Sequence, residues 1–366
     1  MSNRPDLRHR LQELRDAIDA VDREILSLLN RRAALAREVG EVKRAAGRAF
    51  YAPGREEDLV RRLQAENPGP FPDEGIRAVW REVISASLSL ESPLTVVYLG
   101  PPATFTHQAS LRRFGLSASH RPARTIGEVF DLVEKGKADY GVVPVENTTE
   151  GVVAHTLDTF LRSELKIVAE VYLRVAHHLM NRSGRIGDVE RVYSHPHAVA
   201  QCRRWLEAHL PEVPVFDAPS TAQAAKIAAE DPGAAAIAAE VAAATHGLRT
   251  VEARIEDNPN NRTRFLVIGR DVPEPSGHDR TSLLFAVRDE VGALHRTLEV
   301  FSVHGINLTK IESRPMPDRA WQYVFFADCE GHLTDPALAA ALAELRERSR
   351  FLKVLGSYPR ADAEAG

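Results

Sequence analysis

The chain has 366 residues, room for roughly two or three domains of ordinary size, and its 44% hydrophobic and 27% charged content is that of a globular protein. A formal net charge of -4, spread over mixed acidic and basic segments, leaves no basic face for nucleic acid. Residues 1–10 carry three arginines and no apolar stretch, which argues against a signal peptide, and no run is long enough to span a membrane. Cys202 and Cys329 lie far apart with no CxxC pattern, so neither a disulfide framework nor a zinc site is expected and a reducing cytoplasm is the simple inference.

From Leu7 onward, apolar residues recur at steps of four and three: Leu11, Leu14, Ile18, Val21, Ile25, Leu28, then Leu35, Val39 and Val42. This stripe predicts one helix of about forty residues, on the order of 60 Å long. A domain of about ninety residues cannot cover such a seam, which implies a partner chain, most simply an intertwined homodimer. Arg32 breaks the stripe where an apolar residue is due, and a buried arginine needs an anion. Lys43 lies about 20° from it around the helix and three turns on, so both cations can face one pocket. Arg15 falls about 100° away from both and could reach a partner's pocket instead.

After a break over residues 47–54, helices are expected over 55–66 and from residue 73 to about 90. The last carries its stripe on Ile76, Trp80, Val83 and then the polar Ser87, with Glu91 one turn on. Here the chain resembles a chorismate mutase of the all-helical class: Leu14-Arg15-Asp16-x-Ile18-Asp19, Leu28-Leu29-Asn30-Arg31-Arg32, Val39-Gly40-x-x-Lys43 and Arg55-Glu56 follow its motifs in order and spacing. The resemblance covers about residues 5–92 of a domain placed at 1–92. It implies that Arg32, Lys43, Arg55, Glu56, Ser87 and Glu91 hold chorismate's carboxylates and ether oxygen, with Arg15 from the other protomer. Glu91 stands where many members have Gln, and Ala52 where some have Asp. The reaction is a pericyclic rearrangement needing no nucleophile, so the site holds a folded conformer and stabilises charge on the ether oxygen. A carboxylate at Glu91 would repel that oxygen, so mutase activity is expected to fall as Glu91 ionises.

A linker at Ser92-Pro93 leads to an expected strand over Thr95–Leu99, ending in Gly100-Pro-Pro-Ala-Thr-Phe-Thr-His107. Strand, small-residue turn and helix commonly hold a ligand at the carboxyl end of a sheet, and the lack of GxGxxG makes a nucleotide reading weak. Further strands are expected over 140–145, 192–193 and 234–239, with α/β layers and a ligand cleft between two lobes. His195-x-His197 reads as turn structure in the absence of a third ligand nearby. His177 and His178 read as a core strand pair, and Cys202 as packing.

The stretch Asn258-Pro-Asn-Asn-Arg-Thr-Arg-Phe-Leu-Val-Ile268 combines a turn with an apolar strand expected over 265–268. Thr263 sits at that juncture between Arg262 and Arg264. Such a hydroxyl suits acid chemistry on an anion, since nearby cations hold the anion and make it a better proton donor; taken alone, the stretch reads rather as a loop with two solvated arginines. Together with Gly100-Pro101, Thr104-Phe-Thr-His107, Val143-Pro-Val-Glu146-Asn147-Thr148, Tyr193-Ser194-His195-Pro196 and Ser220-Thr221-Ala222, it resembles prephenate dehydratase over residues 94–272. The resemblance implies a fold similar to type II periplasmic binding proteins and ties Thr263 to catalysis. Thr263 would give or relay a proton to the leaving hydroxyl and Arg264 would engage a carboxylate, with Thr104, Glu146, Asn147, Thr148 and Ser194 lining the pocket.

Past a linker over residues 271–277, the pattern runs strand, helix, strand, then a strand from Trp321, helix and strand. This βαββαβ order argues for a ferredoxin-like sandwich over 279–360. Gly292-Ala293-Leu294 and Glu312-Ser313-Arg314-Pro315 resemble the ACT domain of phenylalanine-regulated dehydratases. The resemblance implies that these motifs bind L-phenylalanine between paired domains, with the free amides at Gly292 meeting its carboxylate.

The fold expected is thus multidomain α+β, and the expected function is a bifunctional enzyme taking chorismate to prephenate and prephenate to phenylpyruvate. The resemblance implies homodimeric or larger assembly, feedback inhibition by L-phenylalanine, and no cofactor, metal, nucleic-acid or membrane partner. Two rivals are an anion-sensing regulator whose two-lobed domain is not catalytic, and a dehydratase with a vestigial mutase.

Overall fold

The computed structural model describes residues 4–46, 51–315 and 323–362. The expected positions of Gly47 and Trp321 lie outside the described residues. Helix α1 (Arg4–Ala45) runs 42 residues, followed by α2 (Pro53–Ala65) and α3 (Asp73–Glu91). Within one chain the stripe of α1 is left open: Leu7, Ile18 and Leu28 are 60%, 59% and 64% exposed. At its C-terminal end α1 meets α3 closely because Gly40 has no side chain, and a Cβ there would come 3.0 Å from Glu91 Cβ.

The next unit has two lobes. The first is built from β1 (Thr95–Leu99), α4 (Phe105–Phe114), β2 (Ser119–Ala123), α5 (Ile126–Glu134), β3 (Tyr140–Asn147), β4 (Gly151–Val152), α6 (Ala154–Arg162) and β5 (Lys166–Arg174). The chain then crosses to β6 (His178–Asn181), β7 (Arg191–Ser194), α7 (Pro196–Gln201), α8 (Arg203–His209), β8 (Val215–Asp217), α9 (Thr221–Glu230), β9 (Ala234–Ala238), α10 (Val241–His246) and β10 (Arg249–Glu252). It returns as β11 (Arg262–Gly269), which sits antiparallel between β3 and β5 in the sheet order β2-β1-β3-β11-β5. The second sheet runs β10-β6-β9-β7-β8. Its core is alanine-rich: Ala222, Ala224, Ala225 and Ala228 on α9 face Ala234 and Ala236 on β9, so small side chains let helix and sheet approach closely.

The last unit comprises β12 (Asp279–Ala286), α11 (Ala293–Val303), β13 (Leu308–Pro315), β14 (Tyr323–Glu330), α12 (Pro336–Arg348) and β15 (Phe351–Pro359), in sheet order β13-β14-β12-β15. This is the expected βαββαβ succession. One face of its sheet contributes Leu284, Val324, Phe326, Leu355 and Tyr358 to the same apolar core as Leu157, Phe160 and Ile167 of the first lobe. Likewise Tyr51 and Leu88 of the helical unit enter a core with Phe114 and Phe265. The three units therefore share buried surface rather than hanging on free linkers.

Two local expectations differ. The strand expected from Phe265 begins at Arg262, because Arg262, Thr263 and Arg264 already pair with Arg174, Leu173 and Tyr172 of β5. His177 is not in a strand: it lies in the crossing between β5 and β6.

Candidate active sites

The first site is a cavity of about 1030 Å³ walled by the end of α1, by α2 and by α3, ample for a small organic dianion. Arg32, Lys43, Arg55, Glu56, Ser87 and Glu91 all line it. Arg32 donates to Ser87 Oγ, and that hydroxyl in turn donates to Val83 O at 2.7 Å. Lys43 Nζ reaches Glu91 Oε2 at 3.5 Å, while Arg44 donates to the carbonyl of Glu91 at 2.7 Å. Burial lowers the pKa of Arg32, against the raising effect of Glu91. Burial likewise pushes the Glu56 carboxyl up to about 7, partly offset by Arg113 and Lys43. Arg15 is exposed, seventeen residues back along α1, roughly 25 Å by helical rise, so it cannot serve the cavity of its own chain.

The second site forms where β3 and β11 end side by side, under the crossings between the lobes. Thr263 pairs in register with Asn147, and Asn147 Nδ2 donates to Thr263 Oγ1 and to Asn261 Oδ1, both at 2.8 Å. Asn147 Oδ1 accepts from the backbone of Thr149 and Glu150 at 2.8 and 2.9 Å. All four hydrogen-bonding positions of that amide are thus used, which fixes its orientation. Because Thr263 accepts from an amide, its own hydrogen stays available for a substrate oxygen. Thr148 Oγ1 accepts from Arg262 N at 2.9 Å and bonds Asn261 Oδ1 at 3.3 Å. Asn261 then donates to Gln201 Oε1 on α7 at 3.1 Å, and Gln201 also meets His177 Nε2 at 2.9 Å. The cluster therefore runs from Thr263 across to the second lobe. Asn261, Gln201 and His177 have no part in the sequence reading of the site; Asn261 was visible in its turn, whereas Gln201 carries no motif.

Three expected pocket residues are elsewhere. Strand alternation turns Arg264 to the face opposite Thr263. There its guanidinium, 4% exposed, holds Glu170 Oε2 at 2.8 Å, Asp328 Oδ2 at 2.5 Å and the Tyr358 hydroxyl at 2.9 Å. Glu146 faces the same way as Arg264, and Lys310 of β13 lies 2.6 Å from its Oε2. Ser194 is fully buried and donates to Ile237 O at 2.7 Å, closing the junction of β7 with β9. Thr104 is at the mouth of the first lobe, where it caps α4 by accepting from His107 N and donates to Pro101 O at 3.0 Å.

In the last domain Gly292 is left-handed (φ 76°) and starts α11, a conformation favoured by glycine. The row Ser313–Phe325–Phe285 puts the end of β13 at the same end of the sheet as the loop leading to Gly292. Ser313 is exposed, but alternation turns Glu312 and Arg314 to the other face, and Arg314 holds Asp158 of α6 at 3.2 Å.

A helical cavity lined by cations, a two-lobed α/β unit with a threonine–asparagine pair at the lobe junction, and a ferredoxin-like sandwich define a fused enzyme of small anionic substrates with an attached sensor fold. Family models match each part: chorismate mutase type II over residues 14–92, prephenate dehydratase over 96–273 and the ACT domain over 281–347. A bifunctional chorismate mutase/prephenate dehydratase of Aquifex aeolicus is 53% identical over 355 residues, covering 96% of this chain and 98% of that protein. The solved prephenate dehydratase of Arthrobacter aurescens in complex with L-Phe is 37% identical, with a TM-score of 0.68 over 74% of this chain and 91% of its own. The quorum-quenching acylase GqqA has the same TM-score at 29% identity, covering 74% of this chain and 99% of its own, so this fold alone does not settle the chemistry. Whole-length identity does: the chain belongs to the bifunctional chorismate mutase/prephenate dehydratase family. It converts chorismate to prephenate, and prephenate to phenylpyruvate with loss of CO2 and water.

Proposed function

We propose that the helical cavity performs the rearrangement and that Thr263 is the hydrogen donor of the dehydration. In the first reaction Arg32, Lys43 and Arg55 take the substrate's carboxylates, and the remaining polar groups hold the compact conformer in which the new bond forms. No proton moves, so placement and charge carry the rate. In the second, the C–O bond to the ring hydroxyl and the C–C bond to the carboxylate both break. The electron pair of the breaking C–C bond completes the aromatic ring, CO2 leaves, and the departing hydroxyl oxygen takes one proton to become water. Thr263 supplies or relays that proton, Asn147 keeps its hydroxyl pointed outward, and Thr148 and Thr104 edge the pocket. The bond from Asn147 to Thr263 is the observation that carries this reading. The test is to supply chorismate and follow prephenate and phenylpyruvate: Thr263→Ala should accumulate prephenate, and near-normal phenylpyruvate turnover refutes the role.

We further infer a homodimer or larger assembly in which the open stripe of α1 is covered by a second copy and Arg15 enters the partner's cavity. Sedimentation of the full chain tests this, and a monomer with full mutase activity overturns it. L-phenylalanine is the effector, with Gly292, Ala293, Leu294 and Ser313 at the end of the sheet as its site. Arg314 serves it only indirectly, through its contact with Asp158 of α6, and Glu312 lies on that same face of β13. Added phenylalanine should slow phenylpyruvate formation; unchanged rates at saturating effector refute this.

A further inference from the structure

The mutase cavity is not made by the helical domain alone. Arg113, in the last turn of α4 in the dehydratase unit, reaches into the helical domain and is nearly buried there. Its Nη2 lies 3.3 Å from Glu56 Oε2 and its Nη1 3.6 Å from Glu57 Oε1. The guanidinium also bonds the Tyr51 hydroxyl and sits 5.2 Å from the centre of that ring. Tyr51 is itself seated against Phe114 and Tyr140 of the dehydratase core, at 5.1 and 4.9 Å between ring centres. Glu56 lines the cavity and Arg113 does not. The cation thus stands behind the carboxylate, out of reach of substrate. Residues 271–275, which join β11 to β12, supply a further wall of the same cavity.

We propose that Arg113 is a positioning residue for the mutase reaction, by which the dehydratase domain fixes the place and charge of the Glu56 carboxylate. This rests on the reading of Glu56 as a mutase site residue. An ionised Glu56 can only accept a hydrogen bond from the substrate, whereas a protonated one can also donate. The charged groups facing it are Arg113 from α4, Glu57 on its own helix, Lys43 from α1 and Glu91 from α3, with the hydroxyls of Tyr51 and Tyr140 close by. Burial favours the protonated form, Arg113 and Lys43 oppose it, and Glu57 and Glu91 reinforce it. Without Arg113 the carboxyl ionises only at higher pH, and the acid limb of the mutase profile should move alkaline by about one unit or more, as for loss of one cation at this range. For a carboxyl that ionises at about 7, a one-unit shift is roughly a fivefold loss of kcat/KM at neutral pH.

The experiment uses the full chain and measures mutase kcat/KM against pH for Arg113→Gln, Arg113→Lys, Glu57→Gln and Glu56→Gln, with prephenate dehydration in the same samples reporting an intact fold. Arg113→Gln should shift the acid limb alkaline with dehydration unchanged, and Arg113→Lys should restore part of it, since a cation remains without the fork. Glu57→Gln removes the other anchor of the same guanidinium, yet should shift the limb the opposite way, because a carboxylate next to Glu56 is lost. A merely structural clamp predicts the same direction for both. A wild-type profile in Arg113→Gln, or parallel shifts in the two variants, overturns the proposal. Full activity in Glu56→Gln overturns the reading of Glu56 as well, which separates that failure from failure of Arg113 alone.

Discussion

Arg264→Met tests whether the arginine beside Thr263 serves substrate or structure. Its guanidinium is the main partner of Asp328, which is 1% exposed and otherwise accepts only from Ser282 Oγ, at 2.5 Å, among the side-chain bonds described. Glu170 fares better on its loss, retaining Arg280 Nη1 at 2.5 Å and the amide of Ala361 at 3.0 Å. One buried carboxylate is therefore left uncompensated, and removal of one partner from such a pair costs about 3–5 kcal/mol. The chain has several domains, so the loss should be read as an earlier urea transition of the dehydratase and ACT units, not from a single two-state fit. Arg264→Met with Asp328→Asn should recover part of it, because the stranded charge is gone. In the same samples KM for prephenate should stay near wild type while kcat falls, since Thr263 is adjacent in β11. Unchanged stability with KM raised about tenfold, the signature of a lost binding contact worth about 1.4 kcal/mol, would show that Arg264 holds a substrate carboxylate.

Asn147→Ala should lower dehydratase kcat by roughly the 10²-fold expected for loss of an oriented proton donor, leaving chorismate turnover intact; equal loss of both activities refutes a local role. Glu91→Gln replaces a carboxylate beside Lys43 with an amide that can donate to the ether oxygen, so mutase kcat/KM should rise, and an unchanged or lower value sinks the idea. Gly40→Ala should impair the mutase and spare dehydration, since its Cβ would press on Glu91 at 3.0 Å. Glu56 has a folded pKa raised from 4.5 to about 7 by burial, so its contribution to stability is full below pH 4.5 and is lost as pH rises through about 7; Glu56→Gln should remove that decline in a thermal melt series, and an unchanged decline refutes it.

Helix α1 and the facing of Arg32 and Lys43 were readable because helical period is local and the stripe is long. The choice of pocket residues around Thr263 failed at one point of geometry. With the strand read as starting at Phe265, Arg262, Thr263 and Arg264 seemed to share one turn and one environment. Once Arg262 is strand, period two sends Thr263 and Arg264 to opposite faces, and Glu146 follows Arg264 because the two pair across β3 and β11. Polar residues opening a strand hide its true start, since β patterning is sought in apolar alternation. Gln201 and Arg113 were invisible for another reason: each acts through a contact 57 or more residues away, and nothing in their own neighbourhoods marks them.

Both members of the Thr263–Asn147 pair have a sequence neighbour tied into the ACT domain. Arg264 follows Thr263 and is gripped by Asp328 of β14; Glu146 precedes Asn147 and meets Lys310 of β13. Arg314, one residue before the end of β13, holds Asp158 on α6. A shift of β13 against β14 would therefore pull on the strands that carry Thr263 and Asn147 from their far face, with no need for the effector to touch the cleft. A change at one end of a rigid sheet can act at a distance only where the linked elements have two arrangements of similar energy. The buried Arg264 network favours a single arrangement, whereas the Arg314 pair and the Glu146 end of the Lys310 pair are partly exposed and cheaper to exchange. Were an effector at the end of this sheet to act on the cleft, β13 would be the part able to move and Arg264 its fixed pivot.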